Sequence, residues 1–319
     1  MRIPICYRFS LLSIVCAGIL ATGASHQAYA DTYAWTGTAT GGDGVSWHDP
    51  LNWTNETQST TGVPSAGDTV KLNNGVVHIS APVTISGFSN AGTVWIGEGG
   101  VLNGETSNTV RYATIHVGNG GVFVAGVNWS SRVNITIYEG GEMSGLGSIG
   151  VSDSVTLLIN GIYSPRGTSA SDQRALTLGS ATRWGKVTLG ATGVIYLDVY
   201  GNNDNEYFDL VGTSALTALT LNQGTIYLRP QEGYVPQVGD TFTLWKIAEG
   251  SAAVVNTGDE LNIVLPGYAL DLSMFAVNGT VTVIPEPGSA LLSLGGLLLG
   301  AIGLRRRKVA GPSLERVRF

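Results

Sequence analysis

The chain has 319 residues, with 17 Lys plus Arg against 23 Asp plus Glu, a formal net charge of −6 and only 13% charged residues. That acidic balance excludes the nucleic-acid backbone and anionic lipid as natural partners. Its 45 glycines, twice the usual ~7%, exclude a helical bundle and point to a β protein with many turns.

Arg2 and Arg8 precede an apolar stretch at 9–21, and Ala28-Tyr29-Ala30 supplies the small residues of a signal-peptide cleavage site. The mature chain is therefore expected to begin at Asp31. Both cysteines, Cys6 and Cys16, lie in the removed segment, so the mature protein forms no disulfide and offers no thiol. Removing the signal and everything from Pro285 onward takes away two basic residues at the front and six at the back, leaving nine basic against 21 acidic residues. The body thus carries about −12.

Residues 31–90 contain Trp35-Thr36-Gly37, Gly41-Gly42-Asp43-Gly44, Trp47, Leu51-Asn52-Trp53 and Gly67-Asp68-Thr69-Val70. This segment resembles the opening segment of exported bacterial proteins built from β repeats. Trp35, Trp47 and Trp53 have two readings: a seal over the first coil of a solenoid, whose core and strand edges would otherwise be open, or a platform for stacking sugars.

From Gly92 a repeat sets in, closed by Gly100, Gly121, Gly141 and Gly161, with weaker copies at Gly193 and Gly224. Six residues before the glycine stand Val94, Ile115, Ile135, Val155 and Val187, and four before it Ile96, Val117, Ile137, Leu157 and Leu189. Two after it come Leu102, Phe123, Met143, Tyr163, Ile195 and Ile226. Offsets of two place side chains on one face of a strand, and the glycine permits the corner. One such unit cannot bury its apolar face alone, whereas stacked units share a continuous core. The expected fold is all-β, a right-handed parallel β-helix, with a β-sandwich as the alternative. At the last copy Leu219 and Leu221 fall one position out of step, so either the later coils carry loops or an antiparallel sheet takes over. Residues 237–284 favour paired strands, with Asn278-Gly279 as a turn dipeptide. The segments around Tyr207-Phe208-Asp209-Leu210 and Gly239-Asp240-Thr241-Phe242 resemble the closing region of autotransporter-type β-repeat surface proteins.

After Ile284 come Pro285-Glu286-Pro287, an uncharged stretch at 289–304, and the cluster Arg305-Arg306-Arg307-Lys308. As a helix the stretch spans about 24 Å at ~1.5 Å per residue, marginal for a ~30 Å hydrocarbon core, and the basic cluster favours the cytoplasmic side. This order resembles the PEP-CTERM sorting signal of Gram-negative bacteria, a tail also known as an ice-binding protein C-terminal motif. The resemblance implies export, a transient inner-membrane anchor, processing by an exosortase and delivery to the cell surface or extracellular matrix. The chain then divides into a signal peptide (1–30), an N-terminal cap with first coils (31–90), solenoid repeats (91–232), a C-terminal β region (233–284), the sorting signal with its transmembrane helix (285–308) and a cytoplasmic tail (309–319).

Chemistry is sparse along the body. Asp198, Asp204, Glu206 and Asp209, interleaved with Gly201, Asn202, Asn203 and Asn205, form a weak Ca²⁺ candidate, although a solvated corner with Asx turns explains the same residues. Glu98 and Glu139 share an offset but stand two coils apart, near 10 Å at ~4.8 Å per coil and too wide for a glycosidase pair. Arg111, Arg132, Arg166, Arg174 and Arg183 are scattered. Trp95, His116, Thr136, Thr156 and Thr188 share an outward offset and describe a flat, threonine-bearing face. No cofactor, catalytic residue or firm metal ligand is expected. The reading is an exported, non-enzymatic structural or adhesive protein in contact with exopolysaccharide, whose other partners are the exosortase and secretion machinery. The alternatives are a β-helix polysaccharide lyase or hydrolase, or a carbohydrate-binding protein.

Overall fold

The computed structural model describes residues 30–104, 113–125, 133–145, 148–149, 154–165 and 174–286. Their backbone winds into a parallel β-helix with three faces. The first face stacks Val76–Ile79, Gly92–Ile96, Ala113–Val117, Val133–Ile137, Val155–Ile159, Gly185–Leu189 and the leading halves of Ala218–Pro230 and Val254–Val264, every neighbouring pair parallel. The second stacks Pro82–Ile85, Val101–Gly104, Val122–Ala125, Glu142–Gly145, Ile162–Ser164, Val194–Gly201 and the trailing halves of the same two long strands. Ser148–Ile149, Ala175–Leu178, Tyr207–Leu210 and Trp245–Ile247 supply the third. Ala218–Pro230 runs through the corner between the first two faces, so both belong to one hydrogen-bonded sheet.

The core is a set of side-chain columns along the axis. Val77, Val94, Ile115, Ile135, Leu157, Val187 and Leu219 pair in register, as do Val83, Leu102, Phe123, Met143, Tyr163, Ile195 and Ile226, and each residue is almost wholly buried. The second column is the one the sequence offsets give. The first needs a correction: Leu157, not Val155, pairs with Ile135, and Val155 pairs with Val133. The corner between Ile159 and Ile162 is two residues shorter than the one between Ile137 and Glu142, so counting back from Gly161 slips the strand by two. Leu219 likewise pairs with Val187 and stays in register, because the stretch from Thr220 to Thr225 is one residue shorter than the one from Thr188 to Val194, so the corner absorbs the missing residue.

Two glycines make each regular corner for different reasons. Gly120 takes the left-handed conformation at φ 71°, whereas Gly121 lies so close to the preceding coil that a Cβ would stand 2.3 Å from the Ile96 carbonyl oxygen.

Coils continue on both sides of 91–232. Thr69–Lys71 pairs in parallel with Gly87–Phe88 and Val76–Ile79 with the strand after it, while Val254–Val264 forms the last coil. Beyond that coil, Thr280–Ile284 lies between Thr241–Thr243 and Ala269–Asp271 in an antiparallel sheet. Asn278-Gly279 does not turn a hairpin there; Gly279, at φ 78°, ends the short helix Phe275–Asn278. Among the described residues no helix is long and apolar enough to cross a membrane.

Candidate functional site

At the N-terminal end, Thr32–Trp35 pairs with Trp53–Asn55 and with Thr69–Lys71. This brings Trp47 to 4.7 Å from Trp53 and Trp53 to 4.8 Å from Trp35, edge to face, with Phe88 6.3 Å from Trp47. Trp53 Nε1 donates to the Trp47 carbonyl at 2.7 Å, and Asn52 ties the loop together by donating to Asp43 and to the Ser46 carbonyl. Trp47 and Trp53 have no exposed surface and Trp35 has 7%. No ring face is open, so the sugar platform on these three residues is corrected to a cap: they cover the apolar end of the first coil.

The acidic cluster is likewise dispersed among internal partners. Arg229 Nε donates to Asp198 Oδ1 at 2.6 Å and its other arm reaches Ser164 Oγ at 3.2 Å. Arg174 pairs with Asp204 at 2.9 Å while its guanidinium lies 3.4 Å from the centre of the Tyr200 ring. Asp209 sits on the third face between Thr177 and Lys246. Glu206, 5% exposed, turns inward and accepts the Asp198 backbone N–H at 2.9 Å. Burial, with the Asp198 carboxylate adding to it, pushes the Glu206 carboxyl up to about 7, against the opposing pull of that N–H, Arg229 and Arg174. Among the described residues no three His, Cys, Asp or Glu converge on one point, so the Ca²⁺ candidate has no converging ligand set.

What the coils do assemble is an aromatic ladder on the outward side of the first face. Register places His78, Trp95, His116, Thr136, Leu158 and Thr188 in one outward row, with Val76, Thr93, Thr114, Asn134, Thr156 and Lys186 in the row beside it. The shortened corner moves Thr156 out of the first row and puts Leu158 there, which breaks the expected threonine face. Trp95 stacks on His116 at 4.1 Å and lies 6.4 Å from His78. Tyr138 joins from two coils away, 5.6 Å from Trp95 and 5.7 Å from His116. It can reach back because the preceding coils have only Gly97 and Gly118 at its corner position. Tyr138 Oη and His116 Nδ1 share a hydrogen bond at 3.2 Å, and partial burial holds the His116 imidazole below its ordinary range and therefore neutral at pH 7.

No family model matches this chain, and no curated protein matches it. Among solved structures it is similar to a TibC-catalysed hyper-glycosylated TibA fragment, residues 55–350, at 13% identity, covering 62% of this chain and 85% of that one with a TM-score of 0.20. So loose a superposition carries no argument. The fold rests on the chain's own ladders.

Of the remaining sequence candidates, Glu98, Asn119 and Glu139 occupy exposed corners of three successive coils. Ala30, Pro285 and Glu286 are exposed at the two ends of the described residues, whereas Ala28, Pro287, Arg305, Arg306, Arg307, Arg111, Arg132 and Arg166 lie outside them. Sequence offsets put Trp95 and His116 together but missed His78 and Tyr138. Counting His78 back from Trp95, 17 residues earlier, needs the pairing of a coil that precedes the regular repeat.

Proposed function

We propose that this chain is an exported, non-enzymatic surface or matrix protein, a structural or adhesive component in contact with exopolysaccharide, delivered by its C-terminal signal and processed by an exosortase. The observation that carries this reading is the uninterrupted stack of coils. A tryptophan cap seals its first end, and the chain leaves at exposed Ile284 after the last coil, directly before the sorting tripeptide. A rod attached at one end holds its outward faces away from the attachment point, which is the mechanical requirement of a surface spacer or adhesin. Among the described residues no three His, Asp or Glu side chains converge, and the most perturbed carboxyl there, Glu206, is shut off from solvent. The acidic body favours neutral partners over nucleic acid.

Cell fractionation with mass spectrometry of the mature C-terminus tests the sorting. The expected product is extracytoplasmic and lacks the apolar stretch; a mature chain that still contains Leu304 refutes processing at the tripeptide. Gene deletion is expected to weaken surface attachment or matrix cohesion, and unchanged attachment and cohesion refute the adhesive role. A glycan-degradation screen with the purified protein is expected to show no product, whereas shortened chains or unsaturated ends establish the lyase or hydrolase alternative.

A further inference from the structure

We propose that the outward ladder of His78, Trp95, His116 and Tyr138 is a binding site for a neutral polysaccharide, whose chain runs along the coil axis and contacts the ring edges of successive coils. The inference rests on the reading of this chain as a polysaccharide-contacting surface protein and names the site and ligand class.

Three observations carry it. Stacking fixes the rings in place before any ligand arrives: the Trp95 and His116 centroids are 4.1 Å apart at 21° between planes, and Tyr138 is tied to His116 by its hydroxyl. Fixed aromatic side chains lose little rotamer entropy on binding, which is why they serve as anchors. The polar edges are also free. Trp95 Nε1, His116 Nε2 and both His78 nitrogens have no hydrogen-bonding partner among the described residues, although His78 and Tyr138 are exposed and the other two rings half-exposed. Each coil from His78 to His116 therefore presents a donor or acceptor, and the strands that carry them are spaced about 4.8 Å apart, close to the rise of one pyranose residue in an extended glycan. Thr93, Thr114 and Asn134 add hydroxyl and amide groups in the adjacent row.

Charge selects the class. Between Val76 and Leu158 the two outward rows hold no Lys, Arg, Asp or Glu, and the exposed carboxylates of Glu98 and Glu139 border them at the corners. A polyuronate would meet those carboxylates and an acidic body, and the described residues of the two rows hold no arginine to offset them. A neutral polyhydroxyl chain carries no charge for those carboxylates to repel.

The test is affinity gel electrophoresis of the full-length protein in hydroxyethylcellulose, with alginate as the anionic comparison and circular dichroism to confirm the fold of each variant. Wild type is expected to be retarded by hydroxyethylcellulose and not by alginate. Trp95→Ala and Tyr138→Ala should each weaken retardation by about tenfold, the loss of one anchor's worth of contact, while Tyr227→Ala on the second face leaves it unchanged. Should Trp95→Ala misfold, Tyr138→Ala decides, because its ring stands at an exposed corner. Absence of retardation in hydroxyethylcellulose, retention by alginate, or wild-type retardation of the ladder variants overturns the proposal. Binding by a protein that fractionates in the cytoplasm would refute only the export reading; exported protein that fails to bind would refute only the ladder.

Discussion

Replacing Glu206 by Gln tests the buried polar network, and its effect has a sign that depends on pH. The side chain is 5% exposed and its Oε2 accepts the Asp198 N–H, a bond that a glutamine carbonyl oxygen can keep. Burial raises its carboxyl from 4.5 to about 7 in the folded state. Between those values the native chain holds a proton that the unfolded chain has released, so stability falls as pH rises and levels off above about 7. At ~1.4 kcal/mol per pH unit over that interval the ionised carboxylate costs about 3 kcal/mol at pH 8. Glutamine carries no charge and avoids that cost. Urea unfolding of both proteins, followed by tryptophan fluorescence at intervals from pH 4.5 to 8, should show a stability difference near zero in acid. The variant should become more stable by about 3 kcal/mol in alkali. A difference that stays flat across the range, or one that turns against the variant as pH rises, refutes the account of Glu206 as a desolvated carboxyl.

Trp47→Ala should cost about 3–5 kcal/mol in denaturant unfolding, because a ring with no exposed surface leaves a cavity at the end of the stack. A cost below about 1 kcal/mol would mean the cap does not seal the first coil. Gly121→Ala should lower stability by about 1–3 kcal/mol or more, since its Cβ meets the Ile96 carbonyl oxygen at 2.3 Å; a neutral substitution refutes the close-approach role of the second corner glycine. Titration of the purified protein with Ca²⁺ should produce no binding heat, because Asp198 and Asp204 are committed to Arg229 and Arg174. A saturable exothermic or endothermic signal would reopen the Asp198–Glu206 region as a cation site.

The glycine spacing and the apolar offsets were enough to read the stacked coils, because the period of a β-helix is imposed by its backbone. A strand alternates sides every two residues and each coil must return to the same place. The column Leu102, Phe123, Met143, Tyr163, Ile195 and Ile226 follows directly. Register is lost where a corner changes length, since a loss of two residues at Asn160-Gly161 preserves inside and outside while changing every partner. That slip hid Leu158 in the outward row and gave Thr156 a place it does not occupy.

Side-chain use was decided only in three dimensions. Trp35, Trp47 and Trp53 are equally suited by type to a sugar platform or a cap, and their T-shaped packing under the first coil makes them the cap. Four acids within 12 residues suggested a cation; Arg229 and Arg174 reach them from residues 31 and 30 positions away. The aromatic ladder shows the same division most clearly, since His78, Trp95, His116 and Tyr138 span 61 residues and meet only because each coil returns to the same face. Sequence by itself determined the period and which side chains face inward, both of which are written in local order. Contacts between residues tens of positions apart depend on corner length and coil register, so only the tertiary structure could decide which polar and aromatic groups are spent inside the fold and which remain free outside it.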